Sequence, residues 1–157
     1  MRSWSRYHGH GGRIQIAMVL FGAVVVTTGC SGFERAWKET ASVAPGSDPV
    51  VGCWQGRWYS ETANHGDKLR CVIMRRDDGT YDAWFRACFM KMMAGEYHAK
   101  LVTTDHETHV QVQAKADLGA LAGGIYHQKG RIQSGRYITR YWSKKDRGTL
   151  TMQRLVP

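Results

Sequence analysis

Closely spaced turn signals constrain the fold of this chain more than any other feature. From residue 50 onward Pro157 is the only proline, and turns rich in glycine and aspartate alternate with aromatic and β-branched runs. This spacing predicts an all-β barrel or sandwich. Short links favour an antiparallel up-and-down meander, and closing it into a small barrel leaves no unpaired edge. The eight candidate strands are 51–60, 68–76, 80–89, 95–104, 107–116, 124–132, 135–143 and 148–155.

A glycine placed two residues before an aromatic side chain recurs along this domain. In several cases the glycine can supply the positive φ of a tight turn, and the aromatic residue then starts the next strand. The clearest hairpin joins 71–76 to 80–88 through Asp77-Asp78-Gly79. The repeats are Gly52/Trp54, Gly56/Trp58, Gly79/Tyr81, Gly95/Tyr97, Gly124/Tyr126 and Gly135/Tyr137.

The first 29 residues have the layout of a secretory signal helix. Residues 1–13 are polar and carry three arginines, and residues 14–26 are apolar except for Gln15. A membrane span needs about 20 apolar residues, so a permanent transmembrane helix is the weaker interpretation. An ordinary cleaved secretory signal fits these residues.

Val26-Thr27-Thr28-Gly29-Cys30 resembles the lipobox of bacterial lipoproteins, although Thr27 replaces the usual leucine. The resemblance implies that Cys30 is acylated, with palmitate among the expected chains, and becomes the new N-terminus of an envelope protein. By resemblance to enterobacterial lipoproteins, a residue other than Asp after the cysteine, here Ser31, permits sorting to the outer membrane, facing the periplasm or the cell surface. The chain then divides into a signal peptide (1–29), a lipidated cysteine with a flexible tether (30–49) and a β-barrel domain (50–157). Phe33 and Trp37, spaced i, i+4, allow a short helical turn in the tether.

Gly56-Arg57-Trp58 resembles the G-x-W motif of the calycins, which include lipocalin-like and avidin-like barrels. By this resemblance Arg154 on the last strand packs over Trp58 and closes one end of the barrel, with a cation–π contact. Gly52-Cys53-Trp54-Gln55-Gly56 is similar to the start of the haem-binding nitrobindin barrels. The overall pattern also resembles small uncharacterised bacterial lipoproteins, which imply no mechanism.

Once Cys30 is assigned to lipid, three cysteines remain in a compartment that permits disulfides. Cys71 and Cys88 flank the Asp-Gly hairpin. A tight turn centred on Asp78-Gly79 pairs Cys71 with Arg86 and places Cys88 on the same face. We therefore expect a Cys71–Cys88 disulfide and an unpaired Cys53, with three buried free thiols as the alternative.

Asp105-His106-Glu107-Thr108-His109 has a metal-like composition, but its context is a turn that leads into a strand. On a strand the two histidines face opposite sides, so we interpret them as solvated turn residues. A zinc or haem site using His98, His109 or His127 is the alternative. We predict no cofactor and no metal site.

Trp54, Trp84, Tyr97 and Tyr126 are the candidate residues for lining a ligand pocket, although packing in the core is their default role. No G-x-S-x-G, Walker-type or H-E-x-x-H motif is present, so we assign no catalytic residue and expect a non-enzymatic protein. The expected function is a membrane-anchored envelope barrel that binds a partner or has a structural role. A carrier or sensor of a small hydrophobic ligand or haem is the alternative, and an enzyme of unfamiliar type is the third.

The chain has a formal net charge of +9, from 22 Lys and Arg against 13 Asp and Glu. Three of the arginines precede Cys30 and no acidic residue does, so a cut there leaves 19 basic and 13 acidic side chains, or +6. A basic surface favours anionic partners such as envelope components, although spread charge also simply keeps a domain soluble. The basic residues form no nucleic-acid motif, so we expect no nucleic-acid partner.

Overall fold

The computed structural model of the protein describes residues 32–43, 46–89, 93–120 and 123–156, so the signal and Cys30 lie outside the described residues. One helix, α1 (Gly32–Ala41), precedes all the strands. The strands are β1 (Gly52–Ser60), β2 (His65–Arg75), β3 (Tyr81–Phe89), β4 (Met93–Asp105), β5 (Val110–Asp117), β6 (Ile125–Gln133), β7 (Arg136–Trp142) and β8 (Arg147–Arg154).

Each strand pairs antiparallel with the next along the chain, and β1 pairs antiparallel with β8 to close the barrel. The predicted all-β up-and-down barrel is therefore confirmed. Alternation along the strands explains it: β7 alternates strictly between exposed and buried positions, and every second residue of β3 from Tyr81 to Ala87 is buried. A sheet with this period buries one face only, and closure turns that face inward as the core.

The hairpin between β2 and β3 differs from its predicted register. Its loop has three residues: Arg76 N–H donates to the Thr80 carbonyl at 2.8 Å, and Gly79 takes a φ of +77°. The odd loop length moves the ladder by one residue, so Cys71 lies opposite Phe85 rather than Arg86. Cys71 then faces the core, whereas Cys88 lies on the outer side of β3.

The predicted Cys71–Cys88 disulfide is therefore wrong, because a one-residue change of register moves a side chain to the other face of the sheet. Cys53, Cys71 and Cys88 are all free thiols. Cys53 is also buried, under α1 on the outer wall of β1.

Two glycines allow the barrel to close where β1 meets β8. A Cβ atom on Gly148 would lie 1.8 Å from the Tyr59 carbonyl oxygen, and one on Gly56 would lie 2.0 Å from the Thr151 carbonyl oxygen. No side chain fits at these distances, so the two strands approach this closely only because both positions are glycine.

Helix α1 packs on the outer wall of the barrel over β1, β2 and β3. Phe33 is fully buried, and Trp37 and Ala41 complete a second apolar cluster against Cys53 and Val72. The helical turn allowed by the Phe33/Trp37 spacing is thus a ten-residue helix docked on the barrel. Within the described part of the chain, no helix is long and apolar enough to cross a membrane.

Candidate functional site

One end of the barrel is closed by Trp54. Its side chain is fully buried, its indole N–H donates to the Val50 carbonyl at 3.0 Å, and its ring lies edge-on to Tyr137. Arg154 is its cross-strand partner on β8, and the guanidinium donates to the Val51 carbonyl. The interior of the barrel at this end is therefore filled by the side chains of Trp54 and Tyr137.

The structure separates Trp58 from Arg154, the pair expected to close the barrel. Trp58 lies opposite Leu150, four residues along β8 from Arg154, which corresponds to about 13 Å at the usual rise of a strand. The chain contains two G-x-W motifs four residues apart, and the earlier one, ending in Trp54, is the one placed opposite Arg154. Sequence spacing alone does not distinguish them, because both tryptophans face inward.

The other end of the barrel is open and contains a cavity of about 260 Å³. Its wall is mostly aromatic and aliphatic, contributed by strands from both halves of the barrel and by the loop after β5. The lining residues are Trp58, Leu69, Ala87, Phe89, Tyr97, Leu118, Tyr126, Gln128, Tyr141, Asp146 and Leu150. We call this cavity the mouth pocket.

Gln128 provides polar atoms at the inner side of the mouth pocket. It is almost fully buried, and its Oε1 accepts a hydrogen bond from the Tyr137 hydroxyl at 3.1 Å. The side chain of Gln128 lies close enough to the Tyr97 hydroxyl to affect its pKa, and Tyr97 stacks on Phe85 with ring centroids 4.9 Å apart. Burial raises the pKa of Tyr97 far above its usual value, so its phenol stays protonated and can donate.

Asp146 provides a second polar group, at the rim. Its carboxylate accepts hydrogen bonds from Ser60 Oγ at 2.6 Å and from the Tyr141 hydroxyl at 3.0 Å. Burial, and then the bond to this carboxylate, raises the pKa of Tyr141 well above its usual value. Both polar groups are therefore fixed in position before any ligand arrives, which is how small-molecule sites orient what they bind.

Trp58 forms part of the same rim. Its indole N–H donates to the Cys88 carbonyl at 2.9 Å, and its ring lies 5.3 Å from that of Phe89. Phe89 is partly exposed, so the entrance to the mouth pocket presents two aromatic rings to solvent.

Of the four predicted lining residues, Tyr97 and Tyr126 line the mouth pocket and the two tryptophans do not. Trp54 fills the closed end. Trp84 points outward from β3, where it lies edge-on to Phe33 of α1 and stacks on His98 at 4.7 Å. Trp84 and Phe85 are neighbours, so one of them had to face outward; the alternation of β3 places Phe85 inward and Trp84 outward, against α1.

The histidines proposed as alternative ligands lie away from the mouth pocket. His98 pairs with Asp82 at 3.0 Å, and His127 stacks on Trp142 on the outer wall. His106 and His109 lie in the turn between β4 and β5, as predicted, but the turn brings their rings together at 4.8 Å instead of separating them. Among the described residues, no group of three His, Cys, Asp or Glu side chains could hold a metal ion.

The described residues of the mouth pocket do not fit haem. Haem iron takes His, Cys, Met or tyrosinate as its axial ligand, and the described lining contains no His, Cys or Met. The raised pKa values of Tyr97 and Tyr141 oppose the tyrosinate form.

Comparison with known proteins provides no relative: no protein-family model matches the sequence, and no curated protein or solved structure matches the chain.

Proposed function

We propose that this protein is a membrane-anchored envelope lipoprotein whose barrel binds a small, mainly apolar ligand in the mouth pocket. The observation that carries the proposal is the cavity of about 260 Å³, with an apolar wall and only a few fixed polar groups. Sites for small molecules have this composition. The proposed role is non-enzymatic, with the fixed polar groups orienting the ligand.

The dimensions of the mouth pocket limit its ligand. Pockets for drug-sized molecules usually span about 300–1,000 Å³, so this one takes a small molecule rather than a whole phospholipid. The phenol of Tyr97 and the amide of Gln128 can pair with a single polar group of the ligand deep in the pocket. Tyr126 and Leu118 contact its apolar part.

The anchor is the acylated Cys30. It precedes Gly32, the first residue of α1, by two residues, which span at most about 7 Å of extended chain. Because α1 is docked on β1, β2 and β3, acylation holds this wall of the barrel close to the membrane. Intact mass spectrometry should show acyl chains on Cys30 and none on Cys30→Ser. An unacylated mature chain would contradict the anchor without affecting the mouth pocket.

Ligand binding is tested by filling the pocket. Ala87 is a buried lining residue, and Ala87→Trp places an indole inside the cavity. We expect the Kd of the probe 2-naphthol, measured by calorimetry with a detergent blank, to rise about tenfold or more in this variant. Ala94→Trp is the matched control, since Ala94 is exposed on the outer side of β4. Equal binding by both variants would contradict the proposal.

A further inference from the structure

The outer wall formed by β5, β6 and β7 concentrates positive charge. Its outward positions carry five Lys or Arg side chains and one carboxylate, Asp117 at the end of β5. The five cations, all exposed, are Lys115, Lys129, Arg131, Arg136 and Arg140. We call these five cations, together with His127 and Trp142, the basic wall.

Cations of the basic wall lie directly opposite other cations, either within the wall or on the adjacent strand β4. Lys129 on β6 faces Arg140 on β7, and Lys115 on β5 faces Lys100 on β4. Like charges at directly opposed positions destabilise a sheet. An anion bound between them would remove that repulsion.

Few carboxylates neutralise the wall. Arg140 pairs with Glu61 at 2.7 Å and Lys100 with Asp78 at 3.0 Å. Among the described residues, however, Lys115, Lys129 and Arg131 have no ion-pair partner. The wall under α1 is different, because Glu34 lies between Arg70 and Arg86 at 2.5 Å from each.

Aromatic and aliphatic side chains lie among the cations. Trp142 is nearly half exposed and stacks on His127, with ring centroids 5.7 Å apart and planes at 17°. Two surface grooves of about 720 and 480 Å³ cross the wall, and both are lined by Lys129. The first contains Trp142 beside Lys115 and Asp117, and the second contains Arg131 and Ile138, so both grooves combine charged and apolar side chains.

The curvature of the barrel favours a flexible partner over a flat one. In a closed barrel of eight strands, successive strands turn by about 45°, so the outward directions of β5 and β7 diverge by about 90°. A flat bilayer cannot contact all three strands at once, whereas a chain polymer can bend around them. Strand β6 also lies four strands from β2 in either direction, so the basic wall is opposite the wall that carries α1.

We propose that the basic wall binds an anionic polysaccharide, with acidic groups between Lys115, Lys129 and Arg131 and a sugar ring on the free face of Trp142. An aromatic platform beside cations suits a polymer that alternates charged groups and sugar rings. This surface is separate from the mouth pocket, and the inference does not depend on a ligand there.

The test compares matched charge removals in the detergent-solubilised full chain. Lys129→Gln/Arg131→Gln removes two cations from the basic wall. Arg57→Gln/Lys68→Gln removes an exposed, directly opposed pair from the wall of β1 and β2, so its net charge is the same. We expect binding of polygalacturonate at low ionic strength to weaken about tenfold or more in the first variant only. Equal weakening in both variants would show a nonspecific charge effect and overturn the proposal.

Two further comparisons identify the class of partner. Trp142→Ala should weaken polygalacturonate binding about fivefold while leaving inorganic polyphosphate binding unchanged, because only the first has sugar rings. If Trp142→Ala has no effect on polygalacturonate, the proposal fails. It also fails if phosphatidylglycerol vesicles or an oligothymidylate of equal charge binds more tightly than polygalacturonate, since the partner would then be a membrane or a nucleic acid.

Discussion

Glu34 carries much of the attachment of α1 to the barrel. Its carboxylate contacts Arg70 and Arg86, and the hydrogen bond from Arg70 is the main cause of its lowered pKa. Both guanidinium groups also lie over the ring of Phe33. A group whose pKa is lowered by folding stabilises the fold above its unfolded pKa, here about 4.3, and loses that contribution as the pH falls through the folded value.

Glu34→Gln should therefore lower the free energy of unfolding at pH 7 by about 1–2 kcal/mol, because a charged hydrogen-bonded pair is lost. The difference from the wild type should disappear below the folded pKa of Glu34. Urea unfolding at pH 7 and pH 3 compares the two conditions, and the difference at pH 3 should be smaller than that at pH 7. Glu39→Gln, an exposed change on the same helix, is the control. A constant difference at both pH values would contradict this role.

The three thiols of the barrel should differ in reactivity. Burial raises the pKa of Cys53 to about 11 and that of Cys71 well above its usual value, so neither forms a thiolate near neutral pH. Iodoacetamide at pH 8 should label Cys88 first and the other two only after unfolding. Peptide mapping without reductant measures this order. A Cys71–Cys88 cross-linked peptide would contradict the register described above.

The face of the sheet that a side chain occupies was predictable only where inward and outward residues alternate regularly along a strand. Tyr97 and Tyr126 were expected in the pocket and lie there. The environment of Trp84 was not predictable, because it faces outward on its strand and is partly covered only by a helix about 45 residues earlier in the chain. The position of Cys88 depended on a single loop residue.

At the scale of elements, α1 depends on Phe33 for its docking. Phe33→Ala removes the fully buried ring of the smaller apolar cluster. Removal of a buried phenylalanine usually lowers stability by about 3–5 kcal/mol, and the loss here should fall mainly on the helix. Hydrogen exchange of the amides of 32–41 should rise well above that of the strands. Val43→Ala, an exposed change just beyond the helix, should leave exchange unaltered.

The existence of each strand was predictable from turn spacing, and all eight appear near their expected bounds. The docking of α1 on the barrel was not predictable, because a spacing of i, i+4 between two aromatic residues indicates a helical turn but does not indicate which surface that turn covers.

At the scale of the whole molecule, closure of the barrel depends on close approach of β1 and β8. Gly148→Ala should lower the free energy of unfolding by about 1–3 kcal/mol, because a methyl group meets the Tyr59 carbonyl and Tyr141. Thermal unfolding measures the change. Gly46→Ala, where a Cβ meets nothing within 4 Å, should be nearly neutral. Equal stability of the two variants would contradict a tight junction at this point.

The barrel fold was predictable from the sequence, because the strands are joined by short links and their buried and exposed residues alternate with a single period of two. The mouth pocket did not, since its volume depends on where small side chains such as Ala87 meet across the interior. The basic wall depended equally on register, because only the ladder shows which cations face one another.

Native mass spectrometry of the protein released from membranes of its own host tests the proposed binding of a ligand in the barrel most directly. We predict that the wild type and Ala94→Trp each carry one small, mainly apolar molecule that is released on collisional activation, and that Ala87→Trp carries none. Spectra in which the wild type and Ala87→Trp are equally loaded, or equally empty, would contradict the account.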